Sequence, residues 1–213
     1  MGRRLGSLLL SAAVCLAAAA GCGFFDTRPP VAPTVLPDGL QPKPPTVPEN
    51  ILFNFSNAVQ FGIVGQSQLE KTLAEGFRLT FDIADSTELL LGSIDKRITL
   101  EAYGLASTAD PDSFHFSFEE GVTPEEFGNT AFYNRIGYTF LILTRVAPDS
   151  GTVRDTYSGN ANIRLATDDR GDWVMVSWDD FNDAAETASW GRFIGESALA
   201  VSPSRPRRSA TLH

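Results

Sequence analysis

The chain has 213 residues, 26 acidic and 17 basic, for a formal net charge of −9. An excess of that sign argues against nucleic acid as a partner, and against general adhesion of the folded part to an anionic bilayer. With two cysteines and two histidines in the whole chain, a disulfide framework and a histidine-rich metal site are both excluded.

Arg3 and Arg4 open the chain, and residues 8–20 are apolar apart from Ser11. Positive charge followed by a short apolar run predicts an export signal, and the run is too short to span a bilayer as a helix. Ala19, Ala20 and Gly21 then lead into Cys22. This stretch resembles the bacterial lipoprotein signal, whose lipobox reads Leu-(Ala/Ser)-(Gly/Ala)-Cys; here Ala19 stands where leucine is usual. The resemblance implies a signal peptide over residues 1–21, a diacylglyceryl thioether on Cys22, and palmitate-type acylation of the new amino terminus. The alternative is an ordinary secretory signal cut after the alanine run, with Cys22 incidental. Cys15 would leave with the signal, so lipidation would also remove the one remaining thiol from oxidation. At about 0.8 kcal/mol per buried methylene, a triacyl anchor holds permanently to its partner, the lipid bilayer. By the same resemblance Gly23, rather than aspartate, implies the outer membrane of a bacterial cell envelope, facing periplasm or surface.

Residues 22–47 are expected to form a linker. Pro29, Pro30, Pro33, Pro37, Pro42, Pro44, Pro45 and Pro48 are eight of the chain's 13 prolines. Proline fixes φ and removes a donor, so neither helix nor central strand forms there. A polyproline spacer at about 3.1 Å per residue would hold a domain up to roughly 70 Å from the membrane; the alternative is a segment wrapped on the domain surface. At the other end, residues 203–213 read as a disordered basic tail. Its Arg205, Arg207 and Arg208 either stay solvated or touch an anionic surface, each adding about 1 kcal/mol there.

Residues 48–202 are the size of one domain. "PENILFNFSNAVQFG" predicts a first helix, with Pro48 in its first turn and Ile51, Leu52, Phe55, Ala58 and Val59 on one stripe. "SQLEKTLAEGF" predicts a second, opened by a Ser67–Glu70 capping box and stopped at Gly76. "RLTFDIA" alternates as a strand with Leu79, Phe81 and Ile83 inward. Residues 93–105 suit a helix that starts near Asp95. "SFHFSF" alternates again, with Phe114, Phe116 and Phe118 inward, and "TPEEF" reads as a short helical turn. "IGYTFLILTRV" is apolar on both faces, as a covered central strand is. After a "PDSG" turn, "TYSGNANIRLAT", a "DDRGD" turn and "WVMVSWDDF" complete a meander, with Gly159 a candidate bulge. The fold class is α+β, N-terminal helices packed on a curved antiparallel sheet.

"YSGNANIRLATDDRGDWVMVSWDDF", the later "SWG" and the opening "PENILFNFSNAVQFG" are similar to exported proteins with the nuclear-transport-factor-like fold. The similarity covers residues 48–191. It implies a cone-shaped, cystatin-like domain, an architecture shared by ketosteroid isomerases, scytalone dehydratases and polyketide cyclases. That fold hosts enzymes and non-enzymes alike. Enzymes of this kind place an Asp, His or Tyr inside the cone, and the candidates here are Asp82, His115, Tyr103 and Tyr138. Asp82 with Tyr103 would make a proton-transfer pair, or else a surface carboxylate and a core-edge tyrosine. His115 is out of phase with its phenylalanine neighbours, so it faces either the cone interior or solvent. Tyr138 either donates into a pocket or packs in the core. The aspartates at 168, 169, 172, 179 and 180 fit no calcium-loop spacing and read as solvated turns. No nucleotide, metal or cofactor motif is present.

The reading is a lipid-anchored envelope lipoprotein whose domain binds a small apolar ligand or an envelope protein without catalysis. Fifteen phenylalanines make an apolar cavity or a homodimer face plausible. The alternative is an isomerase- or dehydratase-like enzyme using Asp82 or His115 as general base.

Overall fold

The computed structural model describes residues 41–108, 113–145, 152–182 and 188–201. The export signal, Cys22, the linker up to residue 40, the 148–151 turn and the 203–213 tail lie outside the described residues.

Helix α1, Pro48–Gln60, forms as its sequence predicts: proline opens it, Glu49 complements its dipole, and the expected stripe is buried. Asn54 joins that stripe because the end of the proline segment lies against the helix. Its amide accepts the Lys43 N–H at 2.8 Å and donates to the Lys43 carbonyl at 2.9 Å. The Pro45 carbonyl accepts from Trp173 N at 2.8 Å. Lys43 and Pro45 thus pack against α1 and the start of the last strand of the meander.

Helix α2, Gly62–Thr72, begins directly after Phe61, so Ser67 and Glu70 lie inside the helix instead of capping it. Strand β1, Leu73–Thr80, takes over where a helix was expected, because Leu73, Phe77 and Leu79 are drawn into the core. Gly76 falls within its irregular stretch and stops no helix. The expected strand end at Ile83 is instead helix α3, Ile83–Leu89, and Ile83 is 84% exposed. Asp82 causes the switch, since its Oδ1 accepts the Ala84 N–H at 2.8 Å and caps the new helix. After β2, Ser93–Asp95, helix α4 runs Lys96–Thr108, with Asp95 Oδ1 accepting from Ile98 N at 2.9 Å, as expected.

Strand β3, Ser113–Phe118, buries Phe114 and Phe116. The expected helical turn at "TPEEF" is strand β4, Glu125–Phe127, hairpinned onto β5 through Gly128 at φ +62°. Strands β5, Thr130–Arg145, β6, Thr152–Thr167, and β7, Trp173–Phe181, make the meander that the sequence predicts. Helix α5, Trp190–Val201, was not expected.

The strands lie in the order β2-β1-β7-β6-β5-β3, with β4 added beside β5. β1 runs parallel to β7, so the sheet is mixed and not purely antiparallel as expected. Helices on a curved mixed sheet make this the α+β cone that the resemblance implies. The interior is filled by aromatic rings. Phe55 of α1 is central, with ring centroids 5.3 Å from Phe116 and Trp178 and 6.1 Å from Phe118 and Trp190. Phe55→Ala should therefore lower unfolding free energy by about 3–5 kcal/mol, read as a shifted denaturation midpoint.

Candidate functional site

Two bulges decide which polar groups enter the cone. On β5, Ala131 and Tyr133 face inward, and so do Ile136, Tyr138 and Phe140, a change of phase. It occurs at the register shift between Tyr133 and Ile136, where Arg135 takes φ +49° and its N–H donates to Asn162 Oδ1 at 2.8 Å. On β7, Met175 pairs with Leu165 and Ser177 with Arg164, leaving Val176 as the extra residue. Trp178 and Asp180 therefore turn inward.

Asp180 is 2% exposed, so the expectation of a solvated turn fails for it. Tyr138 donates its hydroxyl to Asp180 Oδ1 at 2.5 Å, and Trp178 Nε1 donates to the same oxygen at 3.1 Å. The Gly191 N–H, in the first turn of α5, donates to Oδ2 at 3.0 Å. Tyr138 Oη accepts the Trp190 N–H at 3.0 Å. Ser189 caps α5: its Oγ accepts from Arg192 N at 2.9 Å and donates to Asp85 Oδ2 at 2.9 Å. Asp85 is buried at the start of α3, with Arg192 Nη1 3.6 Å from its other oxygen. Two glycines leave room for this knot. Gly159 is not at a bulge; a Cβ there would lie 2.7 Å from Tyr138 Oη, so its bareness lets the ring cross β6 toward Asp180. A Cβ on Gly191 would lie 2.5 Å from Asp180 Oδ2.

Burial pushes the Asp180 carboxyl above the usual carboxylate range, against the lowering effect of its hydrogen bonds from Tyr138, Trp178 and Gly191. Burial, and then the Asp180 charge, push the Tyr138 hydroxyl up. The pair has the chemistry of a proton-transfer couple, but protein donors occupy both carboxylate oxygens and Tyr138 is 4% exposed. As arranged, it holds structure.

The other sequence candidates are not brought together. Asp82 is the α3 cap, while Tyr103 is buried and donates to the Val59 carbonyl at 2.9 Å. His115 is exposed, on the face opposite the phenylalanines. Asp168 Oδ1 accepts from Arg170 N at 2.8 Å and Asp172 N at 3.0 Å, the expected turn. Among the described residues no group of three His, Cys, Asp or Glu side chains is placed to hold a metal.

An open surface groove of about 260 Å³ lies between α1 and strands β3 and β5. Its lining is mixed, with Leu52, Phe116, Phe118 and Ile136 beside Glu49, Ser56, Ser117 and Glu119. Tyr133 also lines it, 1% exposed, with a hydroxyl that meets no hydrogen-bond partner among the described residues. Sequence reasoning put Asp180 in a solvated turn and gave no role to Asp85, Ser189 or Tyr133. The available signal was spacing: inward residues three apart, 133 to 136 and 175 to 178, mark the phase shifts.

No known family profile and no curated protein matches the chain. Among solved structures it is similar to a conserved protein from Planctomyces limnophilus, at 14% identity over 62% of this chain and 89% of that one, with a TM-score of 0.47. It is also similar to a nuclear transport factor 2-like superfamily protein from Salmonella enterica, at 14% identity over 65% and 94%, with a TM-score of 0.43. Likeness at this level bears on neither activity nor ligand.

The polar knot predicts a titration. A raised folded-state midpoint means the fold holds this proton more tightly than the unfolded chain does. Asp180 thus adds stability below the unfolded carboxyl range, and that contribution is lost as pH rises through the folded midpoint. The Asp180 carboxyl carbon resonance should titrate above the ordinary range. Tyr138→Phe should move it further up by removing a donor to the carboxylate; a midpoint in the ordinary range would contradict the assignment.

Proposed function

We propose that this protein is a lipid-anchored envelope lipoprotein whose cone domain binds a small apolar ligand or an envelope protein and performs no chemistry on it. Cys22 carries the lipid, and the proline segment spaces the domain from an outer membrane. The observation that supports a binding role over catalysis is the engagement of Asp180. Its oxygens are taken by Tyr138, Trp178 and Gly191, and aromatic rings fill the space around them. A general base needs a free lone pair aimed at substrate, within hydrogen-bond reach. Asp82 spends its carboxylate on a helix cap, and His115 faces away from the interior.

The short Tyr138–Asp180 contact keeps one enzyme reading in view, an isomerase- or dehydratase-like reaction that would first have to open the knot. On the binding reading, Asp82→Asn and His115→Ala each restore every phenotype of a deletion strain. Loss of complementation by a stably expressed variant of either kind would favour catalysis instead.

The anchor is tested by metabolic labelling with a fatty acid, comparing native protein with Cys22→Ser. Label should be present in the membrane fraction of the native strain and absent from the variant, which moves to the soluble fraction. Unlabelled, soluble protein in both strains would mean an ordinary secreted domain.

A further inference from the structure

The chain entering α1 is held against the domain through every backbone polar group of Lys43, Pro44 and Pro45. The Lys43 N–H donates to Asn54 Oδ1 at 2.8 Å, and the Lys43 carbonyl accepts from Asn54 Nδ2 at 2.9 Å. The Pro44 carbonyl accepts from Asn50 Nδ2 at 2.7 Å, and the Pro45 carbonyl from the Trp173 N–H at 2.8 Å. These residues carry no other backbone donor or acceptor, because proline has no N–H. The partners all come from α1 and the first residue of β7.

The match is built from both sides. Asn54 lies on the α1 stripe of Ile51, Leu52, Phe55, Ala58 and Val59 and is 2% exposed. An amide persists among apolar side chains where its own hydrogen bonds are met. By bonding both the N–H and the carbonyl of one residue it does what a neighbouring strand does, and it reads backbone. The segment is prepared for this contact. Proline fixes φ at Pro42, Pro44 and Pro45, and a residue followed by proline is pushed out of the helical region. Lys43 and Pro44 are therefore extended before they dock, and little conformational freedom is lost on docking. One side chain adds to the backbone contacts: the Lys43 ammonium lies 4.0 Å from the centroid of the exposed Phe53 ring.

We propose that Asn50, Asn54 and the Trp173 amide form a docking site for an extended X-Pro-Pro segment, filled by the chain's own Lys43–Pro45. The docked segment is a latch that fixes where the linker meets the domain, beside the start of β7. Thr46 and Val47 alone separate Pro45 from α1, which holds the segment at roughly millimolar effective concentration or above. The latch is separate from the ligand or partner of the domain and from the lipid at Cys22, and its failure would leave both readings standing.

The test is amide hydrogen exchange in the Cys22→Ser protein, taken as the parent. Its Lys43 and Trp173 amides should be protected, although Lys43 lies in no helix or strand. Lys43→Pro keeps the segment extended and removes the N–H that Asn54 Oδ1 receives. It should speed exchange at Trp173 by about tenfold or more, the effect of a lost hydrogen bond whose acceptor is left unmet. Lys43→Ala keeps that N–H and should change Trp173 by less than about threefold. Lys43 is exposed, so neither variant disturbs the core. Asn54→Leu, an apolar replacement on an apolar stripe, should release the Lys43 and Trp173 amides together. The Met175 amide, deeper in β7, should keep its protection throughout, which separates an opened latch from a loosened fold. A free peptide copying residues 41–46, at millimolar concentration, should restore Trp173 protection to the Lys43→Pro protein. The same peptide carrying Lys43→Pro should not, and the parent should not respond, because its own segment fills the site. Trp173 exchange unmoved by Lys43→Pro, or moved as far by Lys43→Ala, would overturn the backbone docking. A peptide without effect on the Lys43→Pro protein would overturn the docking site. Parent protection that rises with protein concentration would mean that a second copy supplies the segment, and would overturn the latch within one chain.

Discussion

The buried Asp180 carboxylate is the constraint on which the closed interior depends. A charge moved out of water is stable only when its lone pairs are met, and an uncompensated one is strongly destabilising. Three chain segments supply the donors: Tyr138 from β5, Trp178 from β7 itself and Gly191 from the start of α5. The amide from α5 adds a favourable helix-dipole term, since the carboxylate sits at that helix's N-terminus. Docking α5 then brings Trp190 against Phe140, with centroids 4.9 Å apart, and Phe116, at 5.5 Å. Ser189 extends the same tie to Asp85 on α3. Polar pairing sets the position of α5, and aromatic burial supplies most of the energy.

The carboxylate is inside because the strands change phase. An unbroken alternation through "WVMVSWDDF" would put Trp173, Met175, Ser177 and Asp179 on one face and leave Asp180 with the solvent set. The extra residue Val176 reverses that, so Trp178 and Asp180 follow Trp173 and Met175 into the core. On β5 the same device at Arg135 brings Tyr138 inward after Tyr133. Period-2 reasoning therefore located both strands and misassigned the chemistry on them. A bulge costs a turn-like residue and a local hydrogen bond, and here Asn162 supplies that bond to the Arg135 N–H.

Elements whose pattern is local were legible. Helix α1 carries its own proline start and apolar stripe, and β3 its alternating phenylalanines. Where a tertiary partner decided, the sequence was misleading. Leu73, Phe77 and Leu79 sit at spacings open to helix or strand, and a parallel partner in β7 selects strand. "TPEEF" is too short to choose for itself and takes its conformation from pairing with β5. Helix α5 shows Trp190, Ile194 and Ala198 buried at four-residue spacing, a signal that the chain carries from "SWG" onward. Asp82 and Tyr103 are close in type to an acid–base pair, yet a helix cap and a backbone carbonyl claim them separately.

Tyr133 and Tyr138 put these arguments on one strand. Both are buried and both point into the cone, on opposite sides of the Arg135 bulge. Tyr138 reaches a carboxylate because Gly159 clears its path across β6. Tyr133 is paired across to Ile163, whose side chain offers nothing polar, and its buried hydroxyl meets no hydrogen-bond partner among the described residues. The two buried tyrosines thus differ in what their hydroxyls meet. The deep end uses its polar groups to fix α5, and the shallow end keeps one donor unspent. The bulge alone, by letting two tyrosines of opposite parity face inward, produces a structural hydroxyl and a free one from the same strand.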